Sequence, residues 1–157
     1  MNLAETCHFI NLIPPLSDTN GEVTSAWSME EWSHATIIVQ FGATDADAGT
    51  ITVQKCTDLA AGTTVDFAFQ YYAEETDSGD VLDATPTRVT AATGIDCAPA
   101  GVNNIMYVIE IDAAELGSAY PCLRMTYTTP NGATLVSALA ILSGGRDARP
   151  ASPTVLS

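Results

Sequence analysis

The residues of this chain best suited to chemistry are its carboxylates, four cysteines and two histidines. Asp77-Ser78-Gly79 matches the short signature of aspartic proteases, whose paired carboxylates share a proton to activate water. That chemistry needs a dry turn flanked by apolar residues, whereas this Asp stands among Glu74, Glu75, Asp80 and Asp83, so a solvated acidic loop is expected. Asp45-Ala46-Asp47-Ala48-Gly49 offers the alternating oxygens that open a calcium loop, but Cys56 occupies the position where a bidentate Glu closes one. An Asp-rich β-turn is the expectation there. Cys7, Cys56, Cys97 and Cys122 are widely spaced with no C-x-x-C, which excludes a zinc ribbon or knuckle. An even number of cysteines allows two disulfides in an oxidising compartment; without an export signal, mostly buried thiols are expected. His8 and His34 would each need an acid and a nucleophile from elsewhere in the fold to form a triad. No Gly-rich phosphate loop follows a strand pattern. Neither catalytic residues nor a metal or cofactor site is assigned, and no enzyme is expected.

Charge narrows the partners. Within 157 residues, 19 acids face 5 bases, a formal net charge of −14. Counterion release cannot drive such a chain onto a polyanion, so nucleic acid is excluded as a partner, and an anionic membrane surface with it. The N-terminus, Met1 to His8, has no Lys or Arg ahead of an apolar stretch, and no apolar run approaches a membrane span, so assembly in a cytoplasm is expected. Apolar residues make up 46% and charged residues only 15%, too little charge to cover a free monomer, so part of the surface is expected to meet a partner.

The elements that must position these residues read as strands. His34–Phe41, Thr50–Thr57 and Thr64–Tyr72 alternate apolar and polar residues, are rich in β-branched and aromatic side chains, and are separated by turns at Gly42, Gly49 and Gly62. Thr87–Thr90, Ile105–Asp112, Cys122–Thr128 and Ala133–Leu142 continue the pattern, and Thr129-Pro130-Asn131-Gly132 predicts a hairpin joining the last two. Ser28–Glu31 and Asp112–Glu115 fit capping boxes with room for a helical turn each. The fold expected is all-β: one antiparallel β-sandwich or jelly-roll-like domain, with an N-terminal arm (1–33) that includes a short helical turn, a body (34–143) and an extended C-terminal tail (144–157). Pro14-Pro15 marks the arm, and Pro150 and Pro153 the tail. Trp27, Trp32, Tyr71, Tyr72, Tyr107, Tyr120 and Tyr127 could line a sugar platform or serve as packing. Arg124 is expected to pair across strands with Glu110.

Met106-Tyr107-Val108-Ile109-Glu110-Ile111-Asp112-Ala113-Ala114-Glu115-Leu116, Cys122-Leu123-Arg124-Met125 and Ala138-Leu139-Ala140-Ile141-Leu142-Ser143-Gly144-Gly145-Arg146 resemble segments of small virion proteins of tailed bacteriophages. There a "YVIEVDAxEL" strand and turn, an Arg-bearing strand and a closing "LSxxR" recur before a Pro-containing tail. Ala35–Gln54 is similar to their opening strands, so the resemblance spans roughly residues 34–155. It implies a head decoration, or cement, protein without catalytic activity, assembled in the host cytoplasm, bound to the major capsid protein on the head exterior and self-associated as a trimer or dimer. A tail or surface adhesin domain that binds carbohydrate is the alternative. On the cement reading, Arg146, Arg149, Pro150, Val155 and Leu156 of the tail are the candidate capsid contacts. Arg146 follows two glycines and can offer a carboxylate a two-pronged hydrogen bond.

Overall fold

Alternation along the chain builds two facing sheets. The computed structural model describes residues 2–44, 49–74, 85–90, 93–97, 104–128 and 132–145. Among the described residues, a short helix α1 (Leu3–Thr6) precedes twelve strands: β1 (His8–Asp18), β2 (Glu22–Val23), β3 (Trp27–Ser28), β4 (Trp32–Thr44), β5 (Thr50–Cys56), β6 (Thr64–Phe67), β7 (Phe69–Glu74), β8 (Thr87–Val89), β9 (Ile95–Asp96), β10 (Ile105–Asp112), β11 (Cys122–Tyr127) and β12 (Thr134–Gly145). One antiparallel sheet runs β1-β12-β4-β10-β7-β8; the other runs β2-β11-β5-β6, with β3 added on β11 and β9 on β5. The expected all-β antiparallel sandwich is what forms.

The core lies between the two inner faces. Ala35, Ile37, Val39 and Phe41 of β4 and Ile105, Tyr107, Ile109 and Ile111 of β10 line one side; Ile51, Val53, Leu123, Met125 and Tyr127 line the other. The rings of Phe41 and Tyr127 meet across the gap at 5.7 Å. Strict alternation in β10 fits a sheet with one covered face, because successive side chains point to opposite sides.

Several expectations need correction. The N-terminal arm is in part an edge strand: β1 pairs antiparallel with β12 from His8↔Leu142 to Asp18↔Thr134. Pro14-Pro15 is accommodated because an edge strand leaves one side of its backbone unpaired, and the register shifts on both sides of Ile13. Ile13 itself is 2% exposed and belongs to the core. The hairpin expected through Asn131-Gly132 does not form, because β11 and β12 lie in different sheets. A turn signal reverses the chain without choosing the strand's neighbour. The strand expected over 64–72 is broken at Ala68, with β6 pairing to β5 and β7 to β10. Phe67 and Phe69 keep the period and bury against the same core, one from each sheet.

Neither capping box forms. Ser28 lies in β3 and its Oγ accepts the Glu30 backbone N–H at 3.2 Å, closing a local turn instead of starting a helix. Residues Ala113–Glu115 make one 3₁₀ turn that Asp112 does not cap, because its carboxylate is engaged elsewhere. A different local motif is realised at Asp18, whose carboxylate accepts the N–H groups of Asn20 and Gly21 at 2.9 and 2.7 Å. This turn takes the chain out of β1 and toward β2 in the second sheet.

Candidate functional site

The outer face of the β1-β12-β4-β10-β7-β8 sheet carries the most organised surface chemistry among the described residues. His34 on β4 stands opposite Asp112 on β10, and Thr36 opposite Glu110. The two carboxylates hold opposite edges of the imidazole: Nδ1 lies 2.8 Å from Asp112 Oδ1, and Nε2 contacts Glu110 Oε2. Thr36 Oγ1 donates to the same Glu110 oxygen at 2.9 Å. An ionised carboxylate only accepts, so the arrangement favours the doubly protonated ring, an imidazolium. Partial burial opposes that charge, but the hydrogen bonds and negative charges of Asp112 and Glu110 outweigh it and raise the pKa above its ordinary value. Because the carboxylates bind different nitrogens, the three groups do not converge on a point where an ion could sit. No cluster of three potential ligands with metal-site geometry occurs among the described residues.

Beside this clamp the sheet face carries an apolar row. One cross-strand row runs Phe9–Ile141–Thr36–Glu110–Gln70, and the next runs Asn11–Leu139–Ile38–Val108–Tyr72. The first row carries Glu110, held by His34, and continues through Gln70 to Arg88 on β8, whereas the second row, Asn11 to Tyr72, has no charged residue. Phe9 and Leu135 remain 47% and 48% exposed on the same sheet. Wet faces of antiparallel sheets are usually polar, so this apolar row, bordered by the polar row Ser137–Gln40–Met106, is a surface that another protein could cover.

A cleft of about 470 Å³ lies at the end of the sandwich, between the turn at Met29-Glu30 and the loop from Ala113 to Pro121. Lys55 anchors that loop by donating from Nζ to the Leu116 carbonyl at 3.0 Å, with its ammonium 4.8 Å above the centre of the Tyr120 ring. The arrangement accounts for Lys55 as a strut between β5 and the loop.

The structure disperses most of the aromatic platform. Trp27, Tyr107 and Tyr127 are core residues and Trp32 and Tyr71 pack against the core, leaving Tyr72 and Tyr120 half-buried on separate parts of the surface. His8 stacks on Trp32 with ring centres 6.1 Å apart. Arg124 does not pair with Glu110, which lies in the other sheet. Its Nε donates to Gln54 Oε1 at 2.7 Å, and Gln54 Nε2 donates to Asp66 Oδ1 at 2.8 Å. The candidate contacts Arg146, Arg149, Pro150, Val155 and Leu156 lie outside the described residues, as do Asp77-Ser78-Gly79 and Asp45 to Ala48. The last described strand ends at Gly145, opposite Trp32 and close in sequence register to the His34 clamp.

No protein-family model and no curated protein sequence matches the chain. Among solved structures it is similar to the SPBc2 prophage-derived protein YomS, with 10% sequence identity over 86% of this chain and 92% of that one and a TM-score of 0.47.

Sequence reading missed the His34 clamp. Its four residues sit on two strands about seventy positions apart, and only the β4–β10 register brings them together. The available signal was polar residues at alternate positions of both strands, His34 and Thr36 against Glu110 and Asp112.

Proposed function

We propose that the protein is a non-enzymatic head decoration protein of a tailed bacteriophage, bound to the outside of the head and stabilising contacts between major capsid subunits. The observation that carries this reading is the resemblance of residues 34–155 to small phage virion proteins. Its three segments fall on β10 with the following 3₁₀ turn, on β11 and on β12. Two physical features support it. The uncharged row Leu139–Ile38–Val108–Tyr72 on the outer face of the β1-containing sheet suits contact with another protein, and copies of the chain meeting there would form the expected trimer or dimer. The strongly acidic remainder keeps a densely displayed protein soluble and off nucleic acid. The tail, through Arg146, Arg149, Pro150, Val155 and Leu156, then makes the capsid contact.

The test is location. Virions are separated into heads and tails, and the protein is quantified in each by mass spectrometry and by labelled antibody. Recovery with heads supports the proposal, whereas recovery with tails alone overturns it in favour of an adhesin.

A further inference from the structure

Cys56, the last residue of β5, and Cys122, the first of β11, are register partners on adjacent antiparallel strands. Ile51 and Val53 on β5, and Leu123, Met125 and Tyr127 on β11, point into the core, so the alternation puts both cysteines on the opposite, outer face. They are 0% and 3% exposed yet lie outside the core cluster. Both are free thiols here. Neither Cys7 nor Cys97 stands opposite a cysteine in the described strand pairs.

This geometry meets the requirement for a cross-link. Directly opposed residues of an antiparallel pair have Cα atoms about 4.5–5.5 Å apart. Disulfides span about 4.4–6.8 Å between Cα atoms. Two side chains on the same face therefore need only side-chain rotation, with no movement of strands. Burial pushes both thiols above their ordinary pKa, opposed at Cys56 by the charge of Arg124 and reinforced at both by Asp58. A pair this buried suits a slow structural staple, since a fast redox sensor needs an accessible thiol.

We propose that Cys56 and Cys122 form an intrachain disulfide when the reduced chain meets a small-molecule disulfide such as oxidised glutathione. One cysteine thiolate attacks a glutathione sulfur, forming a mixed disulfide and releasing one glutathione thiolate. The other cysteine thiolate then attacks the protein sulfur of that mixed disulfide, and the second glutathione leaves. The two protons of the cysteine thiols end on the two glutathiones, and the two electrons lost by the cysteines reduce the one disulfide consumed. The bond ties the end of β5 to the start of β11 and restricts the unfolded chain across the long segment between them. This inference does not depend on the phage reading.

The experiment uses the full chain, purified reduced and incubated to end-point with oxidised glutathione. A low concentration of urea is included to let the buried pair open to the reagent. Remaining thiols are alkylated in denaturant, and the chain is mapped by mass spectrometry without reduction. The expected result is a mass lower by two hydrogens, a Cys56–Cys122 cross-linked peptide, alkylation confined to Cys7 and Cys97, and a melting temperature higher by about 5 °C or more than that of the reduced chain. Cys122→Ser and Cys56→Ala should each abolish the cross-link and the thermal shift, while Cys7→Ser keeps both. Should either cysteine variant fail to fold, mapping of the wild-type chain still decides the matter. Four alkylated cysteines at end-point, a link to Cys7 or Cys97, or a cross-link without a thermal gain would each overturn the proposal.

Discussion

His34 and Asp112 face each other across β4 and β10 with the imidazole Nδ1 2.8 Å from the carboxylate Oδ1, while Glu110 holds the other ring nitrogen. The contact is a charged lock between the two strands, and its strength depends on the proton count of the ring. His34 has its pKa raised in the folded chain above the ordinary 6.5. Its contribution is therefore complete below the unfolded value and is lost as pH rises through the folded one. His34→Gln should cost about 1 kcal/mol near pH 6, and the difference from wild type should shrink toward pH 9. Urea unfolding of both proteins across that range measures it. A difference independent of pH would show that the ring acts only by packing.

On the opposite sheet, Arg124, Gln54 and Asp66 form a relay across β11, β5 and β6. Gln54→Leu removes both of its bonds and should destabilise the fold by about 1–2 kcal/mol. Arg124→Met removes one and should cost less. Glu110→Gln should not alter the effect of Arg124→Met, since the two sites share no contact, and a double-mutant cycle reads that coupling as near zero.

Gly94 has φ of +60°, and a Cβ there would stand 2.3 Å from the Ile51 carbonyl oxygen. Gly117 has φ of +78° with open space around it. Gly94→Ala should therefore cost well over 2 kcal/mol, strain and clash together, and Gly117→Ala only about 1 kcal/mol for the backbone. Equal losses in thermal melts would mean that β9 moves aside without penalty.

If copies meet on the outer face at the uncharged row Leu139–Ile38–Val108–Tyr72, light scattering should find a trimer or dimer. Leu139→Lys should then return the chain to a monomer with little change in melting temperature, because Leu139 is only half-buried in one copy. A monomer in the wild type at all concentrations would leave that face to the capsid.

Removing residues after Gly145 should spare the sandwich, since β12 ends there. Binding to heads that lack the protein should fall sharply. Arg146→Ala should give a smaller loss of the same kind, with folding unchanged and heads more easily disrupted by heat. Full binding by the truncated chain would mean that the tail is not the anchor.

The strands were legible because a two-residue period is local: Ile105–Asp112 shows its buried and half-buried sides without reference to any partner. The acidic balance likewise needs no coordinates. Pairing was not legible. β11 and β12 carry a tight-turn signal between them and still join different sheets, since both can bury their apolar sides in the one core from opposite directions. The same ambiguity hid the break at Ala68 and the partner of Arg124. Pro14-Pro15 pointed away from a strand interior, and only the presence of β12 with a free edge made room for β1. The His34 clamp and the Cys56–Cys122 pair also come from register, which is set when distant strands close on a shared core and no short stretch of chain encodes it alone.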